Sequence, residues 1–311
     1  MQSHQRLPVI GTRGSPLALW QAHEAQRLLA RALCVDAARI AIVVIKTTGD
    51  TIQDRPLSEA GGKGLFTKEL DEAMLAGRID LAVHSAKDLP THPPRNIAIG
   101  GYLAREDVRD AFISARATSI AALPQGAVVG SASLRRQAQI RRLRPDLKTV
   151  LLRGNVETRL RKVETGEVDA SLLALAGMKR LGLAHHATAI LETKDFLPAV
   201  GQGAIAITVR DDDAGAHAMV AAIADATTGQ ALAAERAFLA VLDGSCRTPI
   251  AGHATVADGR LDFDGLVLTP DGAQCFAAHG SGQAADAAAI GAAAGHDIRA
   301  HAPAEALVFG A

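Results

Sequence analysis

Aromatic residues are scarce in this 311-residue sequence, at 3%, with one Trp and one Tyr. An excess of positive charge is also absent, because 33 Lys and Arg are balanced by 33 Asp and Glu. The first deficit argues against a surface that stacks single-stranded bases, and the second argues against a basic field that attracts nucleic acid. Hydrophobic residues still make up 48% of the chain, which predicts globular cores of Ala, Leu, Val and Ile.

Long apolar runs are missing as well. The first eight residues are polar and no stretch approaches the length of a membrane span, so we expect neither a signal segment nor a membrane partner. The three cysteines, Cys34, Cys246 and Cys275, are odd in number and lack the spacing of metal ligands, which argues against disulfides and a metal site. We therefore predict a cytoplasmic protein, with Cys34 and Cys275 as buried apolar filler.

Two short stretches of the sequence are repeated. Residues 9–12 resemble residues 128–131, and residues 77–81 resemble residues 166–170. Each half is predicted to run from a strand through a polar turn into a helix, and later from a helix through Gly into another strand. The repeat predicts an α/β fold with two doubly wound domains that face each other across a crevice, and a chance similarity of common motifs is the alternative.

The rest of the chain predicts the domain boundaries. Leu197–Gly203 has the composition of a hinge, and the strand predicted at Ala204–Val209 returns to the first domain. After Cys246 the pattern alternates and then becomes rich in Ala, which predicts a small α+β domain. We expect domain 1 to comprise residues 1–104 and 201–222, domain 2 residues 105–200, and domain 3 residues 223–311.

Ionisable and polar side chains follow a predicted buried strand in the first half. The strand is the apolar run at residues 81–83, and His84, Ser85, Lys87 and Asp88 come directly after it. Ligands of open α/β sheets bind at the carboxyl ends of the strands, and an acid beside a base is suitable for acid–base catalysis. We interpret this edge as the candidate catalytic site, with a solvated strand end as the alternative.

A local excess of arginine marks the second half. Eight Arg and two Lys lie between residues 131 and 162, against Asp146 and Glu157. Arginines that follow predicted strands are expected to line the crevice and bind a ligand with several carboxylates, and these are Arg135, Arg136, Arg153 and Arg180. The others are predicted to lie on a solvated helix face: Arg141, Arg142, Arg144 and Arg161.

Three further features belong to the predicted site. Ser15-Pro16 begins a helix close behind Arg13, which predicts an anion site at the helix N-terminus. Residues 46–64 predict a long polar loop that ends in Gly-Gly-Lys63-Gly and can act as a lid. Cys246 lies in a tight loop bounded by Gly and Pro, where a covalent role and apolar filling both stay open.

Together these motifs resemble the porphobilinogen deaminase (hydroxymethylbilane synthase) family over nearly the whole chain. The resemblance is carried by Thr12-Arg13, Ser15-Pro16-Leu17-Ala18-Leu19-Trp20-Gln21, Gly61-Gly62-Lys63-Gly64-Leu65-Phe66, Val83-His84-Ser85 with Lys87-Asp88, Ser133-Leu134-Arg135-Arg136, Leu152-Arg153-Gly154-Asn155, Thr158-Arg159-Leu160, Gly201-Gln202-Gly203, Gly244-Ser245-Cys246 and Pro249-Ile250.

The resemblance implies a transferase that joins four porphobilinogen molecules head to tail into linear hydroxymethylbilane and releases ammonia each time. It implies a dipyrromethane cofactor bound through a thioether to Cys246. It also implies three domains, of which the first two look like type II periplasmic binding-protein domains. We expect a monomer without an obligate protein partner.

The resemblance also implies residue roles. Asp88 is the expected catalytic residue, which stabilises the cation left by the loss of ammonia and relays protons. The residues expected to bind the cofactor and substrate are Arg13, Ser15, Gln21, Lys63, His84, Ser85, Lys87, Ser131, Ser133, Arg135, Arg136, Arg153, Gly154, Asn155, Arg159, Arg180, Gln202 and Gly203. Two positions depart from the family pattern: Glu59, which puts a contact between lid and substrate in doubt, and Ser245.

The competing interpretation is a non-catalytic two-domain protein that binds a polycarboxylate or an oxyanion. It explains the fold and the arginines. It explains neither Cys246 nor the third domain, so a covalent adduct on Cys246 discriminates between the two interpretations.

Overall fold

A computed structural model describes residues 6–51, 64–242 and 249–303. The chain forms two compact units, the first from residues 1–52, 62–105 and 204–229 and the second from residues 53–61, 106–203 and 230–311. The strands are β1 Ile10–Thr12, β2 Ile42–Val44, β3 Leu81–Ser85, β4 Ile97–Tyr102, β5 Asp110–Ser114, β6 Val128–Gly130, β7 Lys148–Val150, β8 Ala170–Ala174, β9 Ala189–Leu191, β10 Ile205–Arg210, β11 Ile250–Ala257, β12 Arg260–Leu268 and β13 Cys275–Gln283. The α-helices are α1 Pro16–Ala32, α2 Thr48–Thr51, α3 Lys68–Leu75, α4 Leu134–Leu143, α5 Val156–Glu164, α6 Leu175–Arg180, α7 Ala214–Ala221, α8 Ala226–Val241 and α9 Ala287–His301.

The first unit contains a five-stranded sheet with the strand order β2-β1-β3-β10-β4. β1 runs parallel to β2 and β3, whereas β10 is antiparallel to β3 and β4. α1 and α7 cover one face, where Leu29 packs in a cluster with Val83 and Ile207. α3 covers the other face through Leu70 and Met74. The predicted return of β10 to the first sheet is confirmed.

The second unit contains a five-stranded sheet with the equivalent order β7-β6-β8-β5-β9, in which β5 takes the place of β10. β6 runs parallel to β7 and β8, and β5 is antiparallel to β8 and β9. On one face, Phe112 of β5 packs in a cluster with Ile140 of α4. The other face carries Leu160 of α5 and Met178 of α6. The predicted pair of α/β sheets with helices on both faces is confirmed.

Equivalent contacts hold the start of β1 in the first half and of β6 in the second half. The Asp80 carboxylate accepts a hydrogen bond from the Val9 N–H at 2.9 Å, and the Asp169 carboxylate accepts one from the Val128 N–H at 2.8 Å. The glycine three residues before each aspartate has a positive φ, +69° and +75° respectively, a backbone conformation that glycine adopts without strain. The two halves are therefore structural repeats.

The C-terminal part of the second unit is an antiparallel sheet, β11-β12-β13, packed against α8 and α9. Its core holds Phe238 and Phe263, whose ring centroids are 4.9 Å apart. The buried carboxylate of Glu235 accepts hydrogen bonds from the N–H groups of Gly201 at 2.7 Å and Ala254 at 2.9 Å. The α+β architecture predicted for this part is confirmed.

Two features are absent from the described ranges, residues 6–51, 64–242 and 249–303. No helix in these three ranges is long and apolar enough to cross a membrane. The same ranges contain no group of three or more His, Cys, Asp or Glu side chains that could hold a metal ion.

Several local predictions are wrong. The predicted loop after residue 46 contains the short helix α2, because the Glu69 carboxylate accepts the Thr48 N–H at 2.9 Å and holds the start of the turn. Cys34 is exposed and has a φ of 54°, because it turns the chain directly after α1 instead of filling a core. Arg144 is not on a solvated face, since its guanidinium donates to carbonyl oxygens of the turn at residues 120–123.

A pair of glycines tests how closely α8 and α9 pack. A Cβ added at Gly291 would lie 1.9 Å from the Ala234 carbonyl oxygen, whereas one at Gly229 would have no heavy atom within 4 Å. We expect Gly291→Ala to lower the free energy of unfolding by about 1–3 kcal/mol, because the helices must move apart. Gly229→Ala should raise it by about 0.5–1 kcal/mol, because Ala loses less backbone entropy in a helix. Urea unfolding measures both, and equal effects would contradict the close approach at Gly291.

Candidate active site

The first unit contains an open pocket at the carboxyl ends of β1 and β3, here named the Asp88 pocket. Its empty volume is about 380 Å³, which includes space that is open to solvent. Its lining residues come from the β1–α1 turn, the first turns of α1, residue 66 and the end of β3: Arg13, Ser15, Leu17, Ala18, Gln21, Phe66, Val83, His84, Ser85 and Asp88. Six of the predicted site residues therefore lie together at the sheet edge where ligands of open α/β folds bind.

The N-terminus of α1 forms one wall of this pocket. Ser15 caps the helix by accepting the Ala18 N–H at 3.3 Å, and Pro16 occupies the start of the helix. The buried hydroxyl of Thr12 donates to the Ala18 carbonyl oxygen at 3.1 Å. Because the first turn of a helix presents unpaired N–H groups and the positive end of its dipole, this wall favours an anion.

Arg13 and Asp88 face each other across the pocket. Arg13 Nη1 lies 4.0 Å from Asp88 Oδ2, and the two side chains are 20% and 35% exposed. The Arg13 guanidinium also lies over the Phe66 ring, 4.0 Å from its centroid, in a cation–π contact that orients it. Asp88 ends a 3₁₀ turn that begins at Ala86 and includes the half-buried Lys87. A partly exposed ion pair of this kind adds little stability. Both side chains are partly exposed, so they are accessible to a ligand.

Successive residues of β3 point to opposite faces of the sheet. Ser85 faces α1, where the Gln21 amide donates to its hydroxyl oxygen at 2.9 Å. His84 is buried on the α3 side, and its Nε2 lies 3.1 Å from Thr208 Oγ1. Burial, aided by the charge of Arg13, lowers the pKa of His84 to about 4. The imidazole is therefore neutral near neutral pH, with one nitrogen as a donor and the other as an acceptor.

The helix starts of the second half repeat the capping pattern. Ser133 caps α4 by accepting the Arg136 N–H at 3.4 Å, and the buried Ser131 hydroxyl accepts the Ser133 N–H at 3.1 Å. Asn155 caps α5 by accepting the Thr158 N–H at 2.8 Å. Both helix starts therefore repeat the arrangement of Ser15 and α1.

Arg135 and Arg136 enclose one buried carboxylate. Their Nη2 atoms donate to the two oxygens of Asp110 at 2.8 and 2.7 Å. Gln202 adds an amide hydrogen bond to Asp110 at 2.9 Å, and Arg135 also donates to the Leu197 carbonyl oxygen at 2.7 Å. Burial alone would raise the pKa of Asp110, but the two guanidinium groups hold that pKa well below its ordinary range.

This cluster defines what the two arginines do within the fold. They are 4% and 6% exposed and Asp110 is 0% exposed. The Nε atoms of both arginines are buried without a hydrogen-bond partner among the described residues. Asp110 itself was not among the predicted site residues, because its partners lie far away in sequence. The role of Arg135 and Arg136 as carboxylate-binding groups stays a prediction.

Arg153 and Gly154 lie in the turn between β7 and α5, and Arg159 follows on α5. Gly154 has a φ of +119°, and an added Cβ would lie 2.7 Å from the Thr158 side chain, so this turn requires glycine. Arg159 Nε donates to the Gly154 carbonyl oxygen at 2.8 Å. Both arginines are half-buried, which leaves them more accessible than the pair at Asp110.

The segment before β10 is held by buried polar contacts. Arg180 Nη2 donates to the Gly203 carbonyl oxygen at 2.7 Å. The fully buried Gln202 side chain donates to the Val108 carbonyl oxygen at 2.7 Å. Gly203 has a φ of +87°, and an added Cβ would lie 2.3 Å from the Glu106 carbonyl oxygen. Gln202 and Gly203 therefore fix the path of the chain, and their predicted contact with a ligand stays a prediction.

Two predicted residues, Lys63 and Cys246, lie outside the described residues, as do the lid residues 52–63, Glu59 and Ser245. The sequence analysis missed Phe66 and Thr208 as neighbours of the site. Phe66 had a signal, as the aromatic residue that follows the Gly-rich stretch. Thr208 had none, because it reaches His84 only through the long-range pairing of β3 with β10.

Two family models match the chain. The model described as "Porphobilinogen deaminase, dipyromethane cofactor binding domain" matches residues 9–218. The model described as "Porphobilinogen deaminase, C-terminal domain" matches residues 230–300.

Curated relatives match over nearly the full length. The chain is 62% identical over 293 residues to a porphobilinogen deaminase of Nitrobacter winogradskyi, which covers 94% of this chain and 93% of that protein. It is 55% identical over 298 residues to a porphobilinogen deaminase of Paracoccus denitrificans, which covers 95% of each.

Solved structures give a weaker similarity. A putative methionine-binding lipoprotein from Bacillus subtilis has a TM-score of 0.43 and 14% identity, over 73% of this chain and 93% of that chain. A periplasmic substrate-binding protein of an ABC transporter from Coxiella burnetii has a TM-score of 0.44 and 16% identity, over 70% of this chain and 92% of that chain. At these TM-scores the similarity carries no argument, and the fold class rests on the sheets and helices described above.

The family models and the relatives agree on one activity, and the first model names the cofactor, dipyrromethane. The protein is a transferase that polymerises porphobilinogen into hydroxymethylbilane with release of ammonia, and the chain belongs to the porphobilinogen deaminase family.

Proposed function

We propose that each new pyrrole unit is joined to the growing chain in the Asp88 pocket, with Asp88 as the catalytic residue. The observation that carries this proposal is the pair formed by Arg13 and Asp88, 4.0 Å apart in an open pocket. Porphobilinogen has carboxylates, which a guanidinium binds, and a reacting centre that becomes cationic, which a carboxylate stabilises. The pair therefore offers one group that binds the substrate and one that stabilises its reaction.

The charge of Asp88 acts when ammonia leaves. Loss of ammonia from the aminomethyl group of the substrate leaves a cation that is delocalised over the pyrrole ring, and a nearby carboxylate stabilises it. The ring carbon that forms the new bond then loses a proton, which the Asp88 carboxylate can accept and pass to the released ammonia or to water. The dipyrromethane cofactor supplies the pyrrole carbon on which the chain grows.

The carboxylates of the cofactor and of the growing chain need several cationic partners. We assign Arg13 in the first half, and Arg153, Arg159 and Arg180 in the second, to this binding role. The half-buried side chains of these arginines and the capped helix starts nearby fit a ligand with several carboxylates. Arg135 and Arg136 belong to the same proposal, with Asp110 as the group that holds them in place.

Cys246 is the proposed attachment point of the cofactor, through a thioether. This assignment is supported by the sequence, in which Gly244 and Pro249 flank Cys246. The proposed domains are residues 1–104 with 201–222, residues 105–200, and residues 223–311. A cytoplasmic location is proposed from the odd number of cysteines. A monomer is proposed because no feature of the sequence demands an oligomer.

Replacement of Asp88 tests the catalytic assignment. Asp88→Ala should lower kcat by about a hundredfold or more, because the cation and the proton both lose their carboxylate. Asp211→Ala, which removes an exposed acid from a loop after β10, is the control and should retain turnover. Bilane formation at saturating porphobilinogen is the measurement. Near-normal turnover in Asp88→Ala, with an unchanged melting temperature, would exclude Asp88 from the reaction.

Two arginines on the same helix test carboxylate binding. Arg159→Ala should lower kcat/KM by about tenfold, because a charge-assisted hydrogen bond to the ligand is lost. Arg161 is exposed on α5, and Arg161→Ala should leave kcat/KM unchanged. Steady-state kinetics with both variants distinguishes a specific contact from a general loss of positive charge, and equal effects of the two changes would contradict the assignment.

The intact mass of the denatured protein tests the attachment site. Protein from a host that makes porphobilinogen should exceed the mass of its sequence by one dipyrromethane unit, because the thioether survives denaturation. Cys246→Ala should show no excess, and Cys34→Ala should keep it. An excess that persists in Cys246→Ala would place the bond on another residue.

A further inference from the structure

A second, smaller cavity lies on the α3 side of the first sheet, here named the α3 cavity. Thr67 and Asp71 line it from the α3 side, Thr208 lines it from β10, and Leu89 and Pro90 line it from the segment that follows Asp88. The space for the centre of a water-sized sphere is about 10 Å³, which is about what one water molecule requires. The cavity therefore lies directly behind the backbone that carries Asp88.

Two buried polar atoms at this cavity are unsatisfied. Asp71 is 6% exposed and its Oδ2 has no hydrogen-bond partner, and Thr67 is 2% exposed and its Oγ1 has none either. No ion pair with Asp71 occurs among the residues that the structure describes. Burial, with the Glu72 charge adding to it, raises the pKa of Asp71 to about 6, and the nearby Thr67 hydroxyl opposes this shift without forming a hydrogen bond of good geometry. Leaving such groups unpaired is costly, so the cluster requires an explanation.

The cavity is connected to the Asp88 pocket through one hydrogen bond. Thr208 Oγ1 lies 3.1 Å from His84 Nε2, and His84 is one of the residues that line the Asp88 pocket. The neutral imidazole presents one donor and one acceptor nitrogen, and the partner of one nitrogen decides which tautomer forms. Whatever orients the Thr208 hydroxyl therefore sets the hydrogen-bonding character of His84.

The second half of the molecule shows that the fold does not require these polar residues. The two sheets have equivalent strand orders, so β3 corresponds to β8 and β10 to β5. Ala206 of β10 lies opposite His84 of β3, and Ala111 of β5 lies opposite Leu173 of β8, so His84 corresponds to Leu173. The helices α3 and α5 end at equivalent positions before the shared glycine. The four polar positions Thr67, Asp71, His84 and Thr208 correspond to Val156, Leu160, Leu173 and Ile113, which all belong to one apolar cluster.

We propose that the α3 cavity binds one water molecule that joins the Asp71 carboxylate to Thr208, and that Asp71 thereby acts as a positioning residue for His84. The water donates to Asp71 and accepts from the Thr208 hydroxyl. Thr208 then accepts from His84, which selects the tautomer with the proton on Nε2. This proposal rests on the proposed function in one respect: it takes the Asp88 pocket as the active site.

The test uses the apolar residue that the second half has at the same position. Asp71→Leu should leave the melting temperature unchanged or higher, because an apolar side chain replaces a buried acid whose desolvation costs free energy. It should lower kcat by about tenfold. The ¹⁵N shifts of the His84 ring in the full-length holoenzyme should show the Nε2–H tautomer in the unmodified protein and its loss in Asp71→Leu. Glu72→Gln, which removes the neighbouring exposed charge, should change neither readout.

Three results would overturn the proposal. The first is an Nδ1–H tautomer of His84 in the unmodified protein, which needs no variant to observe. The second is an unchanged tautomer in Asp71→Leu or, if that variant does not fold, in Asp71→Asn. The third is a fall in melting temperature and activity with the tautomer intact, which indicates a structural role. Because the tautomer is read without turnover, failure here is distinguishable from failure of Asp88 as the catalytic residue.

Discussion

A charge buried in this fold must be paired or neutralised, and this constraint decides which of its polar residues are available for chemistry. Asp110 is fully buried and ionised because Arg135 and Arg136 each donate to one of its oxygens. Removing either arginine would leave that carboxylate partly uncompensated, at a typical cost of about 3–5 kcal/mol. The cluster also binds Gln202, and Arg135 binds the Leu197 carbonyl oxygen, so it fixes the chain that leads into β10.

The two halves share one framework and use its interior differently. In both, an aspartate carboxylate accepts a hydrogen bond from the N–H at the start of the equivalent strand, β1 or β6. The second half buries its ion cluster at Asp110, where the first half has the apolar Ile205 at the equivalent register position. The first half instead has polar residues on its α3 side, next to the Asp88 pocket. The repeat therefore provides a built-in control for deciding which polar residues the fold needs and which it does not.

Local patterns in the sequence predicted much of this. Ser15 and Asn155 were recognisable as helix caps because capping depends on neighbours within three residues. Residues at the carboxyl end of β3 were recognisable as a site because a polar run follows an apolar one. The repeat was visible too, although only the matching strand orders establish it.

Contacts between distant parts of the chain were not predictable in this way. Arg144 and Arg161 look alike in sequence, but Arg144 is bound to a distant turn and Arg161 is exposed. Arg135 and Arg136 follow a strand as Arg153 does, yet only the first two have a buried carboxylate between them. Such differences depend on which segments of the chain meet in the fold, and a single sequence carries no direct signal for contacts between segments that are distant in it.

The most direct test of the account is the mass of the holoenzyme after limited addition of substrate. One to three equivalents of porphobilinogen are added, the protein is denatured, and its intact mass is recorded. Stepwise covalent elongation predicts a ladder of species, each heavier than the last by one porphobilinogen less ammonia. A mass that stays constant while porphobilinogen binds without covalent attachment would contradict the account and would indicate a binding protein instead.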